Sequence, residues 1–94
     1  MKEGKEKMGE LSKLPNIGKE LERQLNEIKI YTKNDLDKIG ALETWLRIQA
    51  IDSSACINRL MSLEGAIQGI KKGELSEKDK NYLKDFYQKH KLDY

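Results

Sequence analysis

This 94-residue chain contains one cysteine, one histidine and one proline, and only 6% of it is aromatic. A single cysteine excludes an intramolecular disulfide, which is compatible with a reducing cytoplasm. Cys56 and His90 are too few and too far apart in sequence to give metal-ligand spacing, so no metal is expected. Nothing local would activate a Cys–His nucleophile pair, and Cys56 falls on an apolar seam, where a thiol behaves as a small hydrophobe. Asp35 and Asp37 are two apart on a helix and face different directions, so they are not a carboxylate pair. There is no P-loop and no G-x-G-x-x-G. The expectation is therefore a protein that is not an enzyme, with no catalytic residue and no cofactor. No apolar run approaches the ~18 residues of a membrane span, and MKEGKEKMGE has no apolar core of a secretory signal. These absences point to a cytoplasmic domain with no membrane partner.

Charge of one sign is also missing. Lys and Arg number 18 against 16 Asp and Glu, and they interleave, so no stretch of the chain forms a strong basic stripe. Nonspecific DNA binding draws on counterion release, which scales with the number of phosphates neutralised. This chain can neutralise few, and most of its charges read as a mixed-sign solubilising surface.

What is present is helical periodicity. No period-2 run is bounded by turns, so no strand is expected. A short helix around Lys7 to Lys13 should precede Pro15, which holds Leu14 in an extended conformation. The next helix, about Ile17 to Ile28, carries Ile17, Leu21, Leu25 and Ile28 at helical spacing. Thr32 offers an N-cap with Asp35 three residues on, for a short helix that ends at Gly40. A helix from Leu42 to Gln49 carries Leu42, Trp45 and Leu46, with Trp45 as a core anchor whose indole N–H reaches a carbonyl or the domain edge.

The strongest helix is capped by Asp52 or Ser53 and runs to Ile70, with Cys56, Leu60, Leu63, Ile67 and Ile70 as its seam. Met61, Gly65 and Gly69 fall one turn apart on another part of its surface. Each glycine costs about 1 kcal/mol against alanine inside a helix, which implies a close contact. That contact is either another helix of the same domain, the reading favoured by about two to one, or a twofold partner. The last helix starts at Ser76 with Asp79 as a second capping box. Tyr82, Leu83, Phe86 and Tyr87 make its buried stripe, and HKLDY frays. The expected fold is all-α, a compact bundle of five short helices.

Leu14 to Gly40, LPNIGKELERQLNEIKIYTKNDLDKIG, is the most informative stretch. Asn16 tolerates left-handed dihedrals, and Gly18 should sit in a conformation or contact that a Cβ disturbs. The amides of Ile17, Gly18 and Lys19 open a helix whose positive dipole end can hold an anion. This stretch resembles a helix-hairpin-helix element, which implies binding to the nucleic-acid backbone without base reading. On that reading the amides at Asn16, Ile17 and Gly18, with Lys19, hold a phosphate, and Lys13 and Arg23 assist.

The resemblance extends along the chain. The ordered set LPNIG, IYTKNDL, IGA, WLR, SACINRL and LEGAIQGI, from about Leu14 to Tyr87, resembles the C-terminal domain of TfoX, the bacterial competence regulator. TfoX proper carries a second, N-terminal domain for which this chain has no room, so a single domain over residues 1–94, frayed at 1–9, is expected. The resemblance implies a nucleic-acid or transcription-regulatory role, with weak, non-sequence-specific contact to DNA. The near-neutral surface and the Met61, Gly65 and Gly69 face support the other reading, a protein-interaction module or homodimer that uses the hairpin as scaffold.

Overall fold

The structure is a computed structural model, and it describes residues 9–91. Among these residues it is all-helical: α1 (Lys19–Glu27), α2 (Lys33–Ile39), α3 (Ala41–Ile51), α4 (Ile57–Gln68) and α5 (Glu77–His90), with 3-10 turns at Leu11–Lys13 and Lys72–Glu74. The all-α bundle of five short helices read from the sequence is what the described residues form.

The core lies where α4 meets α3 and α5. Leu60 and Leu63 of α4, Trp45 and Ile48 of α3, Leu25 of α1, Leu36 of α2 and Leu11 of the first 3-10 turn have no more than traces of exposed surface. Burying each such side chain contributes about 1.5–3 kcal/mol, which is what holds helices this short in place. The Trp45 indole Nε1–H donates to the Cys56 carbonyl at 3.2 Å. Its ring meets Phe86 and Tyr87 edge-on, with centroids 6.2 and 5.6 Å away. One residue thus ties α3 to the start of α4 and to α5.

Local chemistry sets the helix ends. The Thr32 hydroxyl accepts from the Asp35 amide at 3.0 Å, and the Asp35 carboxylate accepts from the amides of Tyr31 and Thr32. These bonds hold its carboxyl below the usual range, the Tyr31 amide first among them. Gly40, at φ 86°, is both the C-cap of α2 and the N-cap of α3, the single residue between them. Both α1 and α4 close with a left-handed residue and a return bond. Ile30 N donates to Leu25 O past Lys29, at φ 71°, and Ile70 N donates to Gly65 O past Gly69.

Several expectations are corrected. Within the described residues the segment before Pro15 is only a 3-10 turn, since Gly9 at φ 98° breaks any longer helix; Lys7 and Met8 lie outside the described residues. The next helix begins at Lys19, because Asn16 is left-handed and Gly18 is extended. Cys56, not Asp52 or Ser53, is the N-cap of α4; it is half-buried rather than on the seam. That helix stops at Gln68 because Gly69 turns left-handed, so Ile70 lies beyond it. Ser76 does accept from the Asp79 amide, but the Asp79 carboxylate takes the Gln68 side chain instead of closing a box. Tyr82, expected in the buried stripe of α5, is 61% exposed, and Leu83 carries that stripe with Phe86 and Tyr87 half-buried beside it.

Candidate binding surfaces

The first candidate surface is the turn at Pro15–Lys19. Asn16 takes φ 70°, a conformation open to asparagine at little cost. Its side chain, however, is turned inward. Nδ2 donates to the Ile70 carbonyl at 2.9 Å, with Ser62 O at 3.5 Å, and Oδ1 accepts from the Lys72 amide at 3.0 Å. The Asn16 side chain therefore bonds the turn to the far end of α4.

The other predicted residues of the turn are placed as follows. Ile17 is buried, and its amide leans on the Leu14 carbonyl at 3.4 Å. Gly18 is the exposed N-cap of α1 at φ −92°, an ordinary dihedral, and a Cβ added there meets nothing within 4 Å. The expected need for glycine at Gly18 is not met; the left-handed residue of this turn is Asn16. Lys13 and Lys19 are exposed and form no ion pair among the described residues. Arg23 is engaged on its own helix, bridging Glu20 and, at 2.8 Å, Glu27. The bond to Arg23 keeps the Glu20 carboxyl below its ordinary range.

Glu20 and Glu22 both lie in the first turn of α1. Glu22 Oε2 accepts from the amides of Gly9 and Leu11 at 2.7 and 3.2 Å, stapling the first 3-10 turn to this helix. The positive end of the α1 dipole is thus already faced by two carboxylates of the same chain.

Met61, Gly65 and Gly69 do not form one free face. Gly65 is buried, and a Cβ there would lie 2.5 Å from Asn16 Nδ2 and 2.8 Å from the Ile70 carbonyl. The close approach is real, and it is intradomain. Gly69 has open space around it and is there for its left-handed φ of 78°. Only Met61 reaches a surface feature, and that feature is the second candidate.

This second surface is a groove of about 580 Å³ between α4, α5 and the second 3-10 turn. Ile57 and Met61, one turn apart on α4, and Tyr87 of α5 form its apolar floor, and Lys72, Lys80 and Lys84 edge it. No carboxylate lines it. Lys80 Nζ donates to the Gly73 carbonyl at 3.2 Å, which fixes the rim to the 3-10 turn, and none of the three lysines is in an ion pair among the described residues. Sequence reading found Met61 alone of these. The signal was there: Lys80, Lys84 and Tyr87 are spaced i, i+4, i+7, and so share one face of α5.

Asp52 was expected only as a cap and is instead a hub. Its carboxylate accepts from Ser54 N and Oγ, from Gln24 Nε2 at 2.8 Å and from Arg59 Nη1 at 2.9 Å. These bonds, the Ser54 hydroxyl first among them, hold its carboxyl far below the usual range. The hub joins α1, the α3–α4 connection and α4.

Together these features define a small all-α domain whose Pro15–Lys19 turn is bonded to the end of α4. The chain belongs to the TfoX C-terminal domain family, whose sequence model matches residues 7–87. It is similar to a triclinic crystal structure of an uncharacterized protein from Listeria monocytogenes, 48% identical with a TM-score of 0.83, covering 84% of this chain and 90% of that one. A tetragonal crystal structure of a protein of unknown function from Listeria monocytogenes is also 48% identical, with a TM-score of 0.82, covering 84% of this chain and 96% of that one. No curated protein matches the chain.

Proposed function

We propose that this domain is a non-enzymatic protein-interaction module and that its binding surface is the groove between α4 and α5. One observation carries this reading. The groove pairs an apolar floor, Ile57, Met61 and Tyr87, with three lysines that have no ion-pair partner among the described residues. Apolar floors with a few placed charges suit protein segments, which supply both kinds of contact.

A second reading is supported by the family relation: contact with the nucleic-acid backbone through the Asn16–Lys19 turn, in the service of competence regulation in the bacterial cytoplasm. The exposed Lys13 and Lys19, free of ion pairs among the described residues, favour it. The electrostatics weigh against it. A phosphate at the start of α1 would face Glu20 and Glu22, Arg23 is already neutralised by two glutamates, and the Asn16 side chain is bonded inward.

Titration of duplex DNA against the protein at roughly 50 mM salt and at moderate salt separates the two. The interaction-module reading expects no saturable binding at either. Binding with a log–log salt slope of roughly −2 to −3, abolished by Lys19→Glu with helicity intact, would replace it with the backbone-binding reading.

A further inference from the structure

Resting on the interaction-module reading, we propose that the occupant of the α4–α5 groove is an acidic amphipathic helix of a partner protein. The argument is one of complementarity. Some cations of this surface are neutralised at home: Arg23, Lys33, Arg47 and Lys89 each pair with an acid on their own helix, and Arg59 pairs with Asp52. Lys72, Lys80 and Lys84, like Lys13 and Lys19 at the turn, are in no ion pair among the described residues, and these three line one groove with no carboxylate among its lining residues. Lysine stems can cover apolar surface while their ammonium groups stay in water, where acids of a bound segment would meet them.

The floor selects the rest of the ligand. Ile57 and Met61 stand one turn apart, and methionine adapts its shape to an inserted side chain. Tyr87 presents part of its ring beside them. A sugar–phosphate backbone gains nothing from the aliphatic floor, and three cations alone give weak polyanion binding. A helix with Leu or Phe on one face and Glu on its flanks uses floor and rim together, in the helix-in-groove mode.

The second copy of this chain is the competing occupant. On the other side of α5, Tyr82 stands exposed beside Glu64 and Asp79 in a smaller pocket. Those two carboxylates share the Gln68 amide, with Glu64 at 2.6 Å and Asp79 at 2.9 Å, so they are engaged within their own subunit.

The test is an NMR titration of the isotope-labelled full chain with a synthetic helical peptide carrying Leu and Phe on one face and Glu on the other. A twin with Lys in place of Glu and a single-stranded oligonucleotide serve as comparators. The proposal expects the acidic peptide to shift resonances of Ile57, Met61 and Tyr87, and the twin to leave them in place. Lys80→Glu/Lys84→Glu should weaken the acidic peptide by about tenfold or more, with the helical signal unchanged. Equal binding of both peptides in the groove would overturn the acidic assignment and leave the interaction-module reading standing. Groove shifts from the oligonucleotide alone would overturn both. Self-association of the protein without peptide, abolished by the same double variant, would make a second copy the occupant and overturn the acidic-helix proposal. Absence of groove shifts from either peptide at about 1 mM would overturn it as well.

Discussion

Asn16 occupies the space in front of Gly65. The two are far apart in sequence, yet a Cβ on Gly65 would sit 2.5 Å from the Asn16 amide nitrogen. The same amide group spans Ile70 O and Lys72 N, so the turn before α1 and the end of α4 are one structural unit. The glycine has a packing reason and the asparagine has two, its left-handed backbone and its bonded side chain. This relationship makes the Asn16 side chain part of the scaffold.

Gly65→Ala is expected to destabilise the domain despite alanine's helix propensity. The new methyl also meets the Ile70 carbonyl at 2.8 Å, and backbone cannot swing aside as a side chain can. The overpacking cost exceeds the ~1 kcal/mol of propensity gained, for a net loss of about 1–2 kcal/mol. Gly18→Ser should do the opposite. It places a capping hydroxyl on an extended residue with open space, a gain of about 0.5 kcal/mol. Thermal melts of the two variants check this: one midpoint falls and the other rises, by about 4–8 °C per kcal/mol.

Leu60→Ala tests the centre of the core. The side chain is fully buried on α4, against the helices that surround it. Loss of transfer free energy plus a residual cavity should cost about 2–5 kcal/mol in chemical denaturation, with the m-value unchanged.

Asp52 predicts the acid side of the stability profile. Its folded pKa is depressed, so its contribution is fully present above the unfolded value of about 3.9. It is lost as pH falls below that value toward the folded pKa. Asp52→Asn should therefore lower stability near neutrality and flatten the pH dependence below about pH 4. Denaturation midpoints taken from pH 7 downward check both signs; a variant with the wild-type acid slope would remove Asp52 from the account.

Where the sequence was legible, the determinants were local. Thr32 and Asp35 are three residues apart and cap as their spacing implies; Leu60 and Leu63 are buried because the seam repeats at helical period. Trp45 found a carbonyl within the next connection. Much of what stayed hidden has a different cause, which is partners distant in sequence. Nothing near Asn16 announces Ile70 and Lys72, and nothing near Asp52 announces Gln24. Gly18 and Gly65 look alike in sequence, and only packing separates a spare N-cap from a crowded contact. Tyr82 was assigned inward on a stripe drawn too wide, and the groove was missed because its two faces come from different helices.

The central claim is that the α4–α5 groove, not the Asn16–Lys19 turn, is the binding surface. The most direct measurement is the affinity of the acidic amphipathic peptide for two double charge reversals, read by fluorescence anisotropy. Lys80→Glu/Lys84→Glu removes the groove's rim, and Lys13→Glu/Lys19→Glu reverses the turn by the same number of charges. The account predicts a loss of about tenfold or more for the first and a change within about twofold for the second. Equal losses would reduce the interaction to net charge, and a larger loss at Lys13 and Lys19 would contradict the claim and return the site to the turn.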